Sequence, residues 1–185
     1  MKRRTLLKGS GLAITSIVAM GGLTGQVYAA GKPASKPDAA PLVNELDKYP
    51  RCVICNMDRS KFHFSRHLLH YADDHAEGTC SINCASEAML RERKRGFKAI
   101  YAADFGVAGE PKPLVEASAA TYLIGSSLRA VMSPVSKYAF AQRSAAEAAM
   151  SDAGGQLASF EQAVTASLED YASMVTQKYG KDRKS

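Results

Sequence analysis

The sequence contains no tryptophan, aromatic residues make up only 8% of it, and it has four cysteines and four histidines in 185 residues. It has no glycine-rich loop of the kind that cradles phosphate and no nucleophile elbow, so nucleotide hydrolysis and serine-hydrolase chemistry have no sequence support. Strong basicity is also missing once the first 29 residues are set aside. Of the 24 Lys+Arg, four lie in that stretch and none of the 18 Asp+Glu do, which leaves 20 against 18, or +2. A net charge this small gives no case for nucleic-acid binding. After residue 29 there is no second long apolar run for a membrane span, and no cysteine lies near that point to carry a lipid.

The first 29 residues read as an export signal. Lys2, Arg3, Arg4 and Lys8 form a basic front, residues 12–23 an apolar run too short to span a bilayer comfortably, and Val27-Tyr28-Ala29 places small residues where signal peptidase cuts. Cleavage is expected after Ala29. Lys2-Arg3-Arg4-Thr5-Leu6-Leu7-Lys8 resembles the twin-arginine pattern. That resemblance implies passage of a folded cargo through the Tat translocase and a periplasmic location. Residues 30–46, with their prolines and no apolar period, are expected to form an extended tether.

The pattern predicts an α+β fold of two similar strand-strand-helix-strand units and a C-terminal helix, the units covering 47–105 and 106–185. Near-alternation over 62–71, turn residues at 72–75 and Gly78, and a return strand through Thr79 and Cys80 make a hairpin. Ser81 or Asn83 can cap a helix over 84–94 that Gly96 ends, and 97–102 reads as a strand. After a loop at 106–113, strands are expected at 114–116, 120–124 and 137–142, then a helix over 144–153 ended by Gly154-Gly155. Phe160, Val164, Leu168, Tyr171, Met174 and Val175 form a helical stripe over 160–179, expected to pack on the body.

The densest chemical signal is Cys52-Val53-Ile54-Cys55 with Met57 two residues on, and Cys80-Ser81-Ile82-Asn83-Cys84. A CxxC pair can turn both sulfurs inward from one tight turn, and a CxxxC at a helix start sets its sulfurs about one turn apart where the helix N-terminus favours thiolates. Such sulfurs suit copper(I) or zinc, and the Met57 thioether favours copper(I). Two disulfides, or a working thiol-disulfide pair, stay open as alternatives. His63, His67 and His70 read as ordinary surface histidines; His75, in the hairpin turn, is a possible further ligand. Met132 is either a hydrophobic plug or a thioether from the second unit, with the residues alone favouring the plug.

Cys55 with Cys80-x-x-x-Cys84, preceded by Thr79, resembles the three-cysteine pattern of the TRASH and YHS metal-binding modules. From about residue 50 to 165 the chain resembles the NosL family of exported copper accessory proteins. The likeness rests on Cys52-Val53-Ile54-Cys55-Asn56-Met57, then Thr121-Tyr122-Leu123-Ile124-Gly125-Ser126, Met132, Ala139-Phe140-Ala141, Ala145 to Ala149 and Gly154-Gly155 ahead of Phe160. The resemblance implies a non-enzymatic copper(I) chaperone with nitrous-oxide reductase as client, a fold of two similar units, and Cys55, Met57 and Met132 as copper ligands. Asn56 stands where the family usually has glycine, and Cys80 and Cys84 are sulfurs that many members lack.

Overall fold

The computed structural model describes residues 37–182. The expected signal segment and the start of the tether lie outside them. The elements are α1 (Glu45–Lys48), β1 (His67–Tyr71), β2 (Ala76–Thr79), α2 (Ile82–Arg91), β3 (Phe97–Ala103), β4 (Leu114–Glu116), a 3-10 turn (Ala117–Ala119), β5 (Thr121–Ile124), β6 (Lys137–Phe140), α3 (Arg143–Ala153), β7 (Gln156–Ala158) and α4 (Phe160–Asp182). Two antiparallel sheets result, ordered β2-β1-β3-β4 and β6-β5-β7. In each, the first strand is central, its hairpin partner lies on one side, and the strand that follows the helix lies on the other. The fold is therefore α+β with one strand-strand-helix-strand topology used twice, plus a C-terminal helix. Among the described residues, no helix is long and apolar enough to cross a membrane.

β1 is buried at every position rather than at alternate ones. It runs down the middle of its sheet: Leu69 and Tyr71 meet Ala85 and Ala88 of α2, and the His67 ring reaches Tyr122 of the second sheet. The preceding residues, 61–65, form turns, so the alternation from residue 62 overstated the strand. In β5, Tyr122 and Ile124 face a core shared with Ile82, Phe160 and Ala163, while Leu123 faces Tyr138, Phe140 and Ala146. The sheets meet where Asp104, just past β3, bridges Ala139 of β6 and the Phe105 N–H donates to the Ala139 carbonyl (2.8 Å).

Four features differ from expectation. The supposed tether is anchored from Asp38 onward. The Asp38 N–H donates to the Asp74 carbonyl (2.6 Å), its carboxylate accepts from Lys48 and Tyr49, and Glu45 is buried. Charged partners supply this order, which apolar periodicity cannot report. β4 pairs with β3 and so completes the first sheet, although it follows the long loop expected to open the second unit. β7, only three residues long, follows Gly154 and Gly155 at φ 70° and 94°. A Cβ on Gly155 would stand 2.6 Å from the Ile124 carbonyl, so this tight return onto β5 needs glycine. Finally, α4 outruns the body: its stripe is covered as far as Tyr171, whereas Met174 and Val175 are exposed.

The histidines also depart from the surface reading. His67 is 2% exposed; its Nδ1 lies 3.0 Å from the Ser65 carbonyl and its Nε2 lies 3.1 Å from the Tyr122 hydroxyl. Burial, with Arg59 and Arg66 nearby, pushes its pKa down from 6.5 to about 4 despite the Ser65 contact. The unfolded chain thus binds the extra proton between those values and the folded one does not. His67 therefore contributes its full stability above about pH 6.5 and loses it on acidification toward pH 4, a loss of about 3 kcal/mol. Urea unfolding across this window should show that loss in the wild type and its absence in His67→Gln; equal slopes would contradict it.

Candidate metal centre

The first cysteine pair sits on a closed knuckle. The Cys52 N–H donates to the Met57 carbonyl and the Asn56 N–H to the Cys52 carbonyl, both at 2.9 Å. Arg51 and Asp58 bridge across its base. The turn requires φ 61° at Asn56, a left-handed conformation that glycine adopts freely and asparagine tolerates better than other residues. The Val53 N–H donates to the Gly78 carbonyl (2.9 Å), laying the knuckle along β2. At the end of β2 the chain passes through Cys80, and Ser81 caps α2 by accepting from the Cys84 N–H (3.4 Å). Cys84 therefore lies in the first helical turn. The N-cap forces the strand-to-helix corner that brings Cys80 and Cys84 together.

All four sulfurs lie within 4.8 Å of one another. Cys55 Sγ is 3.5 Å from Cys80 Sγ and 3.8 Å from Cys84 Sγ, and Cys80 and Cys84 are 3.8 Å apart. These are free thiols, since a disulfide would hold its sulfurs about 2.0 Å apart. An ion about 2.3 Å from each of four tetrahedral sulfurs sets neighbouring sulfurs about 3.8 Å apart, so the separations fit one enclosed soft metal. Cys52, Cys80 and Cys84 are buried, while Cys55 is half-buried. The CxxC lies on a knuckle and not at a helix start after a central strand, so the setting of a thioredoxin-like redox pair is missing.

The cluster shares protons unequally. Hydrogen bonds from the Cys80 and then the Cys84 thiol hold the Cys52 thiol far below the usual range, and the Cys55 and Ile54 N–H groups add to this. Cys80 and Cys84 are pushed up, chiefly through the same bonds to Cys52. One thiolate is thus stabilised ahead of the others, and a metal binding here would displace the remaining protons.

Residues 43–168 match the sequence profile of the NosL family. The chain belongs to the NosL family. Among solved structures it is similar to the crystal structure of the copper chaperone NosL from Shewanella denitrificans, with 21% identity, a TM-score of 0.48, and coverage of 60% of this chain and 87% of that one. It is also similar to the solution NMR structure of apo-NosL from Achromobacter cycloclastes, with 22% identity, a TM-score of 0.37, and coverage of 51% and 82%. No curated protein sequence matches it.

Around the NosL cluster the other expected residues fall unevenly. Met57 packs against it, with Ile54 and Phe62 beside. Val131, not Met132, is the apolar plug against Cys52, Cys80 and Cys84. Met132 is 38% exposed, and its backbone stands at φ 57°, a strained position for methionine. The Asn83 side-chain amide, next to Cys84, donates to the Met132 carbonyl (2.7 Å), and Lys137 donates to the Asn83 Oδ1 (3.3 Å). The backbone that carries this exposed residue is therefore tied to the helix start that bears a cysteine. His75 stands apart from the sulfurs, at the turn end of the hairpin beside Asp73 (3.4 Å), while Cys80 follows the opposite end of β2.

Sequence reasoning missed the residue that holds the two cysteine segments in place. Arg59 is fully buried and donates to the carbonyls of Thr79 (3.2 Å), His67 (3.1 Å) and Tyr49 (2.5 Å), while its own N–H donates to the Pro50 carbonyl. It thereby links the chain just before Cys80 to the chain just before Cys52. A buried arginine has no local signature; the nearest sequence clue is Gly78, over which its guanidinium lies. A Cβ at Gly78 would meet that group at 2.5 Å. Gly78→Ala is expected to cost about 1–3 kcal/mol by overpacking and to weaken metal binding, checked by thermal unfolding and metal titration.

Proposed function

We propose that this protein is an exported, non-enzymatic metallochaperone that carries copper(I) as cargo to a metalloenzyme client, with nitrous-oxide reductase the client that NosL membership favours. The observation that carries this reading is the convergence of four free thiols within 4.8 Å, three buried and one half-exposed. Thiolates bind soft copper(I) tightly, and each thiol that binds releases a proton. Cys55 is the sulfur that an incoming ligand can reach, and Met57 and Met132 supply neutral thioethers at the edge. Cargo then passes on by ligand exchange, one client ligand replacing one chaperone sulfur at a time, without release of free ion. The basic front of residues 2–8 supports export by the Tat translocase into the periplasm.

Anaerobic copper(I) titration against a competing chelator tests the reading. One tightly held ion per chain is expected for the wild type and severe loss for the Cys52→Ser/Cys55→Ser variant; equally weak binding by both would overturn it. Transfer to copper-free nitrous-oxide reductase, followed by the metal content of each protein after separation, tests the client. Met132→Leu should slow that transfer more than it weakens binding.

A further inference from the structure

The number and spacing of the sulfurs raise a question that copper handling alone does not answer. Monovalent copper is satisfied by two or three soft ligands, and Met57, packed against the cluster, already offers one besides Cys55. A copper carrier with this set has thiols to spare. Yet Cys52, Cys80 and Cys84 are all buried, and the three sulfur pairs among Cys55, Cys80 and Cys84 stand 3.5–3.8 Å apart, matching the edge of a tetrahedron about a divalent d10 ion. The scaffold that holds them is built for four: a knuckle with asparagine in the left-handed turn, a capped helix start, and Arg59 tying the two together. Arg59 also places a buried positive charge near Cys52, where four thiolates around a dication would leave an excess of negative charge.

We propose that, before cargo arrives, the four cysteines Cys52, Cys55, Cys80 and Cys84 hold one zinc(II) ion, and that copper(I) loads by expelling it. This rests on the copper-chaperone reading of the same site. The exchange involves no electron transfer, since both ions are d10. Copper(I) enters at the half-exposed Cys55, forms bonds to two or three thiolates, and zinc leaves as the dication. Any thiolate left without a metal takes up a proton from solvent. Softness drives the exchange, because thiolates prefer copper(I) to zinc when both are present. Zinc keeps the buried thiols from oxidation and holds the knuckle against the helix until then.

The test uses the reduced, anaerobic mature protein. Loaded with zinc and freed of excess, it is titrated with copper(I) beside a colorimetric zinc indicator; cobalt(II) replaces zinc in a parallel sample as a spectroscopic probe. One zinc per chain, released by about one equivalent of copper(I), is expected, with the intense ligand-field bands of tetrahedral sulfur-bound cobalt. Cys84→Ser should lower zinc affinity at least about a hundredfold while copper(I) affinity falls by about tenfold or less, since copper needs fewer sulfurs. Retained copper binding also shows that the variant is folded. Copper binding without zinc binding would overturn the proposal and leave the chaperone reading intact. Zinc retained while copper binds would overturn the exchange. Zinc binding without copper binding would overturn the chaperone reading, and the exchange with it.

Discussion

Glu45→Gln is expected to lower the unfolding free energy by about 3–5 kcal/mol, the cost of leaving buried charge without its partner. Glu45 lies between two arginines: one carboxylate oxygen is 2.7 Å from Arg66 Nε and the other is 2.7 Å from Arg59 Nη2. Arg59 is wholly buried and Arg66 nearly so, and both already donate to backbone carbonyls on several segments. Burial pulls the Arg59 pKa down while Glu45 supports it, so the carboxylate offsets the cost of holding that charged guanidinium inside the fold. Glutamine keeps the shape and removes the charge. Urea unfolding of the metal-free protein gives the measurement, and a change under 1 kcal/mol would show that the arginines reach water. Because Arg59 holds the segments that precede Cys52 and Cys80, the same variant should bind metal more weakly.

Metal loading is the second large effect. An ion that binds the folded cluster and not the unfolded chain stabilises the fold by about 4 kcal/mol when its free concentration is a thousand times the dissociation constant. For a domain of this size that is a rise in Tm of about 8–16 °C. Copper(I), buffered by a chelator to set its free concentration, should produce this shift in the wild type. Stripping the metal should reverse it, and the Cys52→Ser/Cys55→Ser variant should show a much smaller shift. An unchanged Tm would mean that the sulfurs bind metal no better folded than unfolded.

Much of the fold and part of the site are legible in the sequence. Turn residues, helix caps and local periodicity located the hairpin, α2, α3 and the repeated unit order, because each of those signals is carried by a few neighbouring residues. The patterns failed where burial was two-sided or order came from charge. β1 is buried throughout, so its length could not be read from alternation, and β7 is too short to have a period. Asp38 and Glu45 looked like tether residues because ion pairs with Lys48, Arg59 and Arg66 leave no periodic trace. Met132 had the residue type of a plug, but a left-handed backbone at that position turns its side chain outward and Val131 fills the gap.

By itself, the sequence determined the chemistry: four soft sulfurs in two close pairs, a methionine beside the first, and a chain otherwise poor in catalytic groups. Local spacing settles how each pair can turn its sulfurs, because three or four residues leave the backbone few conformations. Only the tertiary structure decided that the two pairs form one cluster, that Cys55 is its accessible corner, that His75 lies outside it, and that a buried arginine holds it together. Those facts depend on contacts between segments some 20 to 50 residues apart. Such contacts are chosen by packing and charge in the whole domain, which no local pattern encodes.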